Sequence, residues 1–140
     1  MIIRFRGTPT QVRVETLSSE TVLRSPYREI GSPVLRVTVV VTRHDGDVHR
    51  IVLDVDDVSI DVQQPDGGFV LNGIDQLFVV ERPPPAHRFL TWFGVFARRR
   101  GFHDRVLVET PESHVARFVE RTIERRLGLA DERVRGEMRL

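Results

Sequence analysis

Residues 110–129, TPESHVARFVERTIERRLGL, carry a helix signal at the end of a chain that otherwise alternates like β-structure. Val115, Phe118, Val119, Ile123 and Leu127 recur at i, i+3, i+4, i+8 and i+12, which gathers them into one apolar stripe. Thr110 is the expected N-cap, Pro111 suits the first helical position, and Glu112 favours the positive end of the helix dipole. Arg125 and Arg126 belong in the last turn, with Gly128 as the residue that closes it. No second helix is legible, so the stripe must lie on a sheet. The expected fold class is therefore α+β: a strongly bent antiparallel sheet, or partly open barrel, of about seven strands, capped by one C-terminal amphipathic helix.

The clearest strand pair is PVLRVTVVVTRHDGDVHRIVLDV, residues 33–55. Leu35, Val37, Val39 and Val41 share one face of the first strand; His49, Ile51, Leu53 and Val55 share one face of the second. Asp45-Gly46 between them is a two-residue hairpin signal, which would set His44 across from Asp47 and His49 across from Thr42. Further strands are expected at 11–17, around 21–24, and at 58–62, 75–81, 87–99 and 105–109. Turns fall at 64–68, Asn72-Gly73 and 100–104. RPPPA, residues 82–86, cannot join a ladder because three prolines remove three donors. The strand 87–99 is apolar on both faces, as a strand covered on two sides would be.

A chain of 140 residues suffices for one domain with a real core. It has no cysteine, which excludes disulfides and thiolate metal sites. No signal peptide is legible at the start, and no segment approaches the roughly 18–20 apolar residues of a membrane span; a soluble, cytoplasmic protein is expected. All 21 basic residues are arginine. They are spread unevenly: residues 1–81 hold 8 Arg against 12 acids, net −4, and residues 82–140 hold 13 against 8, net +5. A near-zero total thus hides a polar chain, a feature that bears on a partner or an anionic surface.

Strands followed by one terminal helix resemble the pleckstrin-homology-like (PH-like) fold, and the sequence is similar to bacterial PH-like domains of unknown function. The likeness rests on IDQLFVVER (74–82), the aromatic strand 88–97 and RVLVETPESHVARFVERTIERRLGL (105–129). It implies one PH-like domain over 1–129 with a polar tail at 130–140, and it brings no catalytic signature.

Several clusters have the composition of a site. Asp54, Asp56, Asp57 and Asp61 lack the glycine-containing loop of a calcium hand and read as a solvated strand edge. His44, Asp45, Asp47 and His49 do not converge as zinc ligands in a two-residue hairpin. Ser113 and His114 are helix neighbours about 100° apart, the wrong geometry for nucleophile and base. On the helix, Arg117, Arg121 and Arg125 with Glu120 and Glu124 read as a solvated face of ion pairs. The remaining candidate is a basic hairpin tip, Arg98, Arg99, Arg100 and His103, with Phe102 beside it and Trp92 and Phe96 nearby. The expected function is a non-enzymatic binding or scaffolding module acting through protein contacts, with a partner or with further copies of itself. The alternative is peripheral binding of anionic lipid headgroups by the Arg98–Arg100 tip. No catalytic residue, cofactor, metal or small-molecule substrate is expected, and nucleic acid is not the expected partner.

Overall fold

The computed structural model describes residues 1–4, 10–17, 33–42, 47–65, 67–82 and 92–130. These hold nine strands and, at the C-terminal end, one helix: β1 (Ile2–Arg4), β2 (Gln11–Leu17), β3 (Val34–Thr42), β4 (Val48–Val55), β5 (Ser59–Gln64), β6 (Gly67–Asn72), β7 (Ile74–Arg82), β8 (Trp92–Arg99), β9 (Arg105–Thr110) and α1 (Ser113–Leu127). The chain is thus α+β, antiparallel and strand-dominated, with its helix last. The strands form two sheets, β1–β6 and β7–β9, and the chain divides into two compact units, Met1–Asn72 and Gly73–Leu140. The expected strand around 21–24, residues 87–91 of the aromatic strand and residues 131–140 of the tail lie outside the described residues.

In the first unit each strand pairs with the next in sequence, a six-stranded meander. Its apolar face is built in rungs. Val14, Val37, Leu53, Val62 and Phe69 stand opposite one another across five strands, and Thr16, Leu35, Val55, Ile60 and Leu71 form the neighbouring rung. Val37, Leu53, Val55, Ile60 and Val62 have no exposed surface, so this face carries the unit's apolar core.

The β3–β4 register differs by one residue from that of a two-residue turn. His49 stands opposite Val41, not Thr42, and Val48 stands opposite Thr42. Side-chain facing has a period of two, so a one-residue shift matters. The two-residue register would have set Val37 against Asp54 and Val41 against Arg50. The observed one sets Val37 against Leu53 and Val39 against Ile51. Apolar matching at Leu35–Val55, Val37–Leu53 and Val39–Ile51, with Arg36 set against Asp54, outweighs the local preference of Asp45-Gly46, which lies outside the described residues.

In the second unit β8 is the central strand, flanked by β7 and β9, and α1 packs on all three. Leu77, Val79, Val95, Ala97, Leu107 and Val108 are buried on the sheet, and Val115, Ala116, Val119 and Ile123 on the helix. The stripe is therefore centred on Val115–Val119–Ile123, with Phe118 and Leu127 half-buried at its flanks.

The helix starts later than the sequence predicts. Thr110 is the last residue of β9, opposite Phe93, and is fully buried. Glu112 is the N-cap, in extended conformation. The cause is the ladder: pairing with Phe93 holds Thr110 in β9, and the helix begins only after Glu112. The Thr110 hydroxyl still helps at this corner, accepting from the Glu112 backbone N–H (3.2 Å) and donating to the Glu112 carboxylate (2.6 Å). At the other end Leu129 N–H donates to Glu124 C=O (2.9 Å) and Gly128 N–H to Arg125 C=O (3.4 Å), the two bonds of a Schellman stop.

Candidate functional site

The β8–β9 connection brings Arg98, Arg99, Arg100 and His103 into one tip. Phe102 N–H donates to Arg99 C=O (3.2 Å), which closes a four-residue turn. Gly101 occupies its third position with φ of 83°, the positive value that a type II turn demands there and that side chains resist. The turn is fastened from β7. Asp75 is an extra residue in the β7–β8 ladder, since Ile74 stands opposite Arg99 and Gln76 opposite Arg98. Such a bulge re-aims a side chain. Here the Asp75 carboxylate accepts the Arg100 backbone N–H at 2.8 Å.

The four candidate residues differ in their state. Arg98 is engaged: it donates Nε–H to Asp104 Oδ1 (3.0 Å) and Nη2–H to Oδ2 (2.9 Å), and its guanidinium lies 5.0 Å from the Phe78 ring centroid. Phe78 stacks on Phe96, its cross-strand partner, at 5.7 Å. Arg99 lies 4.2 Å over the Phe102 ring. Arg100 and His103 are exposed, and so is 65% of Phe102. Trp92 begins β8, opposite Arg82. Seven residues of extended strand separate it from Arg99, about 23 Å, so it is not part of the tip.

Reasoning from the sequence missed Asp75 and Asp104, which place two carboxylates within a patch read as purely basic. Asp104 had a signal: a six-residue offset from Arg98 across a turn is cross-strand spacing. Asp75 had none, because its role depends on the bulge.

The Arg98 fork is the largest influence on Asp104 and holds its carboxyl below the ordinary 3.8, with desolvation opposing. A depressed carboxylate stabilises the fold above its ordinary value and ceases to as pH falls through the depressed one. Both side chains are substantially exposed, so the effect on stability is small. The expected result of a carboxyl NMR titration is an Asp104 midpoint below the ordinary value, rising toward it when Arg98 is replaced by Ala.

The acidic cluster is not a solvated edge. β4 and β5 are interior strands of the meander, and Asp54, Asp56 and Asp61 are buried, with Asp57 alone exposed. Asp54 accepts a fork from Arg36, at 2.8 and 3.0 Å, and Asp61 stands opposite it on β5. Asp56 shapes the β4–β5 turn by accepting from Val58 N–H (2.9 Å), Ser59 N–H (2.7 Å) and the Ser59 hydroxyl (2.9 Å). Among the described residues no group of three or more His, Cys, Asp or Glu has the geometry to hold a metal ion. Nor is any helix among them long and apolar enough to cross a membrane.

On α1 the predicted solvated ion pairs are only partly so. Arg121 and Arg125 are exposed, whereas Arg117, Glu120 and Glu124 are buried. Arg117 Nη1–H donates to both Glu120 carboxylate oxygens, at 2.9 and 3.2 Å. These three lie beside the apolar stripe, at positions 2, 5 and 9 after Val115, so the covered arc of the helix is wider than its apolar residues.

No protein-family model matches this chain, and neither a curated protein nor a solved structure matches it.

Proposed function

We propose that this chain is a non-enzymatic binding module that works through protein contacts made at the β8–β9 tip. One observation carries the reading: an exposed Phe102 with the Arg99 guanidinium stacked over it, on a turn fastened by Asp75. Aromatic and arginine side chains are the commonest energetic anchors of protein interfaces. A turn already held in shape loses less freedom on binding. Of the polar groups at least half-buried, Arg36–Asp54 joins β3 to β4, Asp56 shapes the β4–β5 turn and Arg117 pairs with Glu120 within α1; no catalytic residue or cofactor is assigned. The succession of antiparallel strands and one terminal helix supports grouping the chain with PH-like domains.

The test is a photo-crosslinking amino acid placed at position 102 in the cell of origin, with position 58 as control, since Val58 is comparably exposed (63%) in the other unit. Discrete protein adducts at 102 and none at 58 are expected. Adducts alike at both positions contradict the reading. Salt-sensitive cosedimentation with anionic but not neutral vesicles, lost when Arg99 and Arg100 become Ala, would instead assign the tip to a membrane surface.

A further inference from the structure

We infer that the tip recognises an acidic protein segment, a side-chain carboxylate being held by Arg99 and Arg100 while an apolar neighbour packs on Phe102. The inference rests on the protein-contact reading and adds the chemistry of the partner.

The cations of the tip are not equivalent. Arg98 is answered by the Asp104 fork and braces the base of the hairpin. The side chains of Arg99, Arg100 and His103 make no hydrogen bond or ion pair with any described residue. The Phe102 ring covers one face of the Arg99 guanidinium. Stacking uses that flat face and leaves the in-plane N–H fork, the part that matches a carboxylate. Its Nε is buried and has no hydrogen-bond partner, so the Nη donors are what a partner reaches. Arg100 follows directly, its backbone fixed by Asp75.

Asp104 is committed to Arg98 and Asp75 to the Arg100 backbone, so the cations left to meet a partner are Arg99 and Arg100, whose charge attracts a carboxylate and a phosphate alike. The exposed Phe102 ring asks in addition for an apolar contact, which a peptide supplies next to its carboxylate.

The experiment is selection of a phage-displayed random peptide library on the intact chain. The expected peptides pair Asp or Glu with an aliphatic or aromatic neighbour. Their binding should weaken with salt and fall about tenfold or more in Arg99→Ala/Arg100→Ala. Arg99→Glu/Arg100→Glu should turn the selection toward Lys- and Arg-containing peptides. Circular dichroism of each variant guards against misfolding, which is not expected for substitutions at this turn. Neutral or basic peptides lost in Phe102→Ala would overturn the carboxylate inference and leave the protein-contact reading standing. So would an absence of tip-dependent peptides alongside discrete crosslinks at position 102. No such peptides and no crosslinks would overturn both. Competition by anionic vesicles as strong as by the selected peptides would also overturn the inference.

Discussion

Replacing Arg117 with Ala is expected to destabilise the fold by about 3 kcal/mol, read from the midpoint of urea unfolding. The pair it forms with Glu120 looks ordinary in sequence, an i, i+3 contact on a helix face. On an exposed helix such a pair contributes about 0.2–0.5 kcal/mol. Here Glu120 has no exposed surface and the Arg117 side chain is 10% exposed, which changes the sign of the reasoning. Two charges removed from water are tolerable only together. Removing the guanidinium takes from the buried Glu120 carboxylate both hydrogen bonds that Arg117 donates to it, with the buried Glu124 one turn away. Arg117→Met combined with Glu120→Leu should recover most of the loss, because apolar residues of similar volume replace a buried pair at little cost. A loss under about 0.5 kcal/mol for the single change would show the pair to be solvated after all.

Arg36→Ala should cost a similar amount, about 3 kcal/mol, in the first unit. Arg36 stands in a polar rung between Glu15 and Asp54, and Asp61 lies beyond Asp54 on the next strand. Hydrogen bonding to Asp54 is the main reason that the guanidinium holds its proton even more firmly than usual, and the charges of Glu15 and Asp61 add to it. Without Arg36, Asp54 and Asp61 remain opposite one another, both buried, and their repulsion acts across β4–β5. Arg36→Lys keeps the charge and loses the fork, so it should fall between wild type and Ala. Equal stability of Arg36→Ala and wild type would refute this role.

Much of this fold was legible in the letters. The alternation of Leu35–Val41 and Ile51–Val55 announced β3 and β4, and Val115–Val119–Ile123 announced a helix that needs a sheet. The differences share a cause: local signals give way where longer-range pairing decides. Asp45-Gly46 suggested a tight turn, but the apolar pairs Leu35–Val55, Val37–Leu53 and Val39–Ile51, with Arg36 set against Asp54, fix the register. Thr110 resembled an N-cap, but pairing with Phe93 keeps it in β9. Asp54 and Glu120 were assigned to solvent because acids usually belong there. Their partners, Arg36 and Arg117, were visible, but burial is a tertiary property that spacing alone does not reveal. The tip was found from its composition, whereas its organisation was not. That Arg98 is committed and Arg99 is not follows from Asp104 and Phe102, which only the folded hairpin brings into place.

On this proposal the working surface is the Arg99–Phe102 tip, and the buried charges serve the fold. The most direct measurement compares the native size of wild type and Arg99→Ala/Phe102→Ala in extracts of the cell of origin, alongside the thermal midpoint of each purified protein. The proposal predicts midpoints within about 2 °C of each other, because neither side chain makes a hydrogen bond or ion pair with a described residue. It also predicts wild type eluting above its monomer mass and the variant shifting to it. Identical elution of the two folded proteins would contradict it.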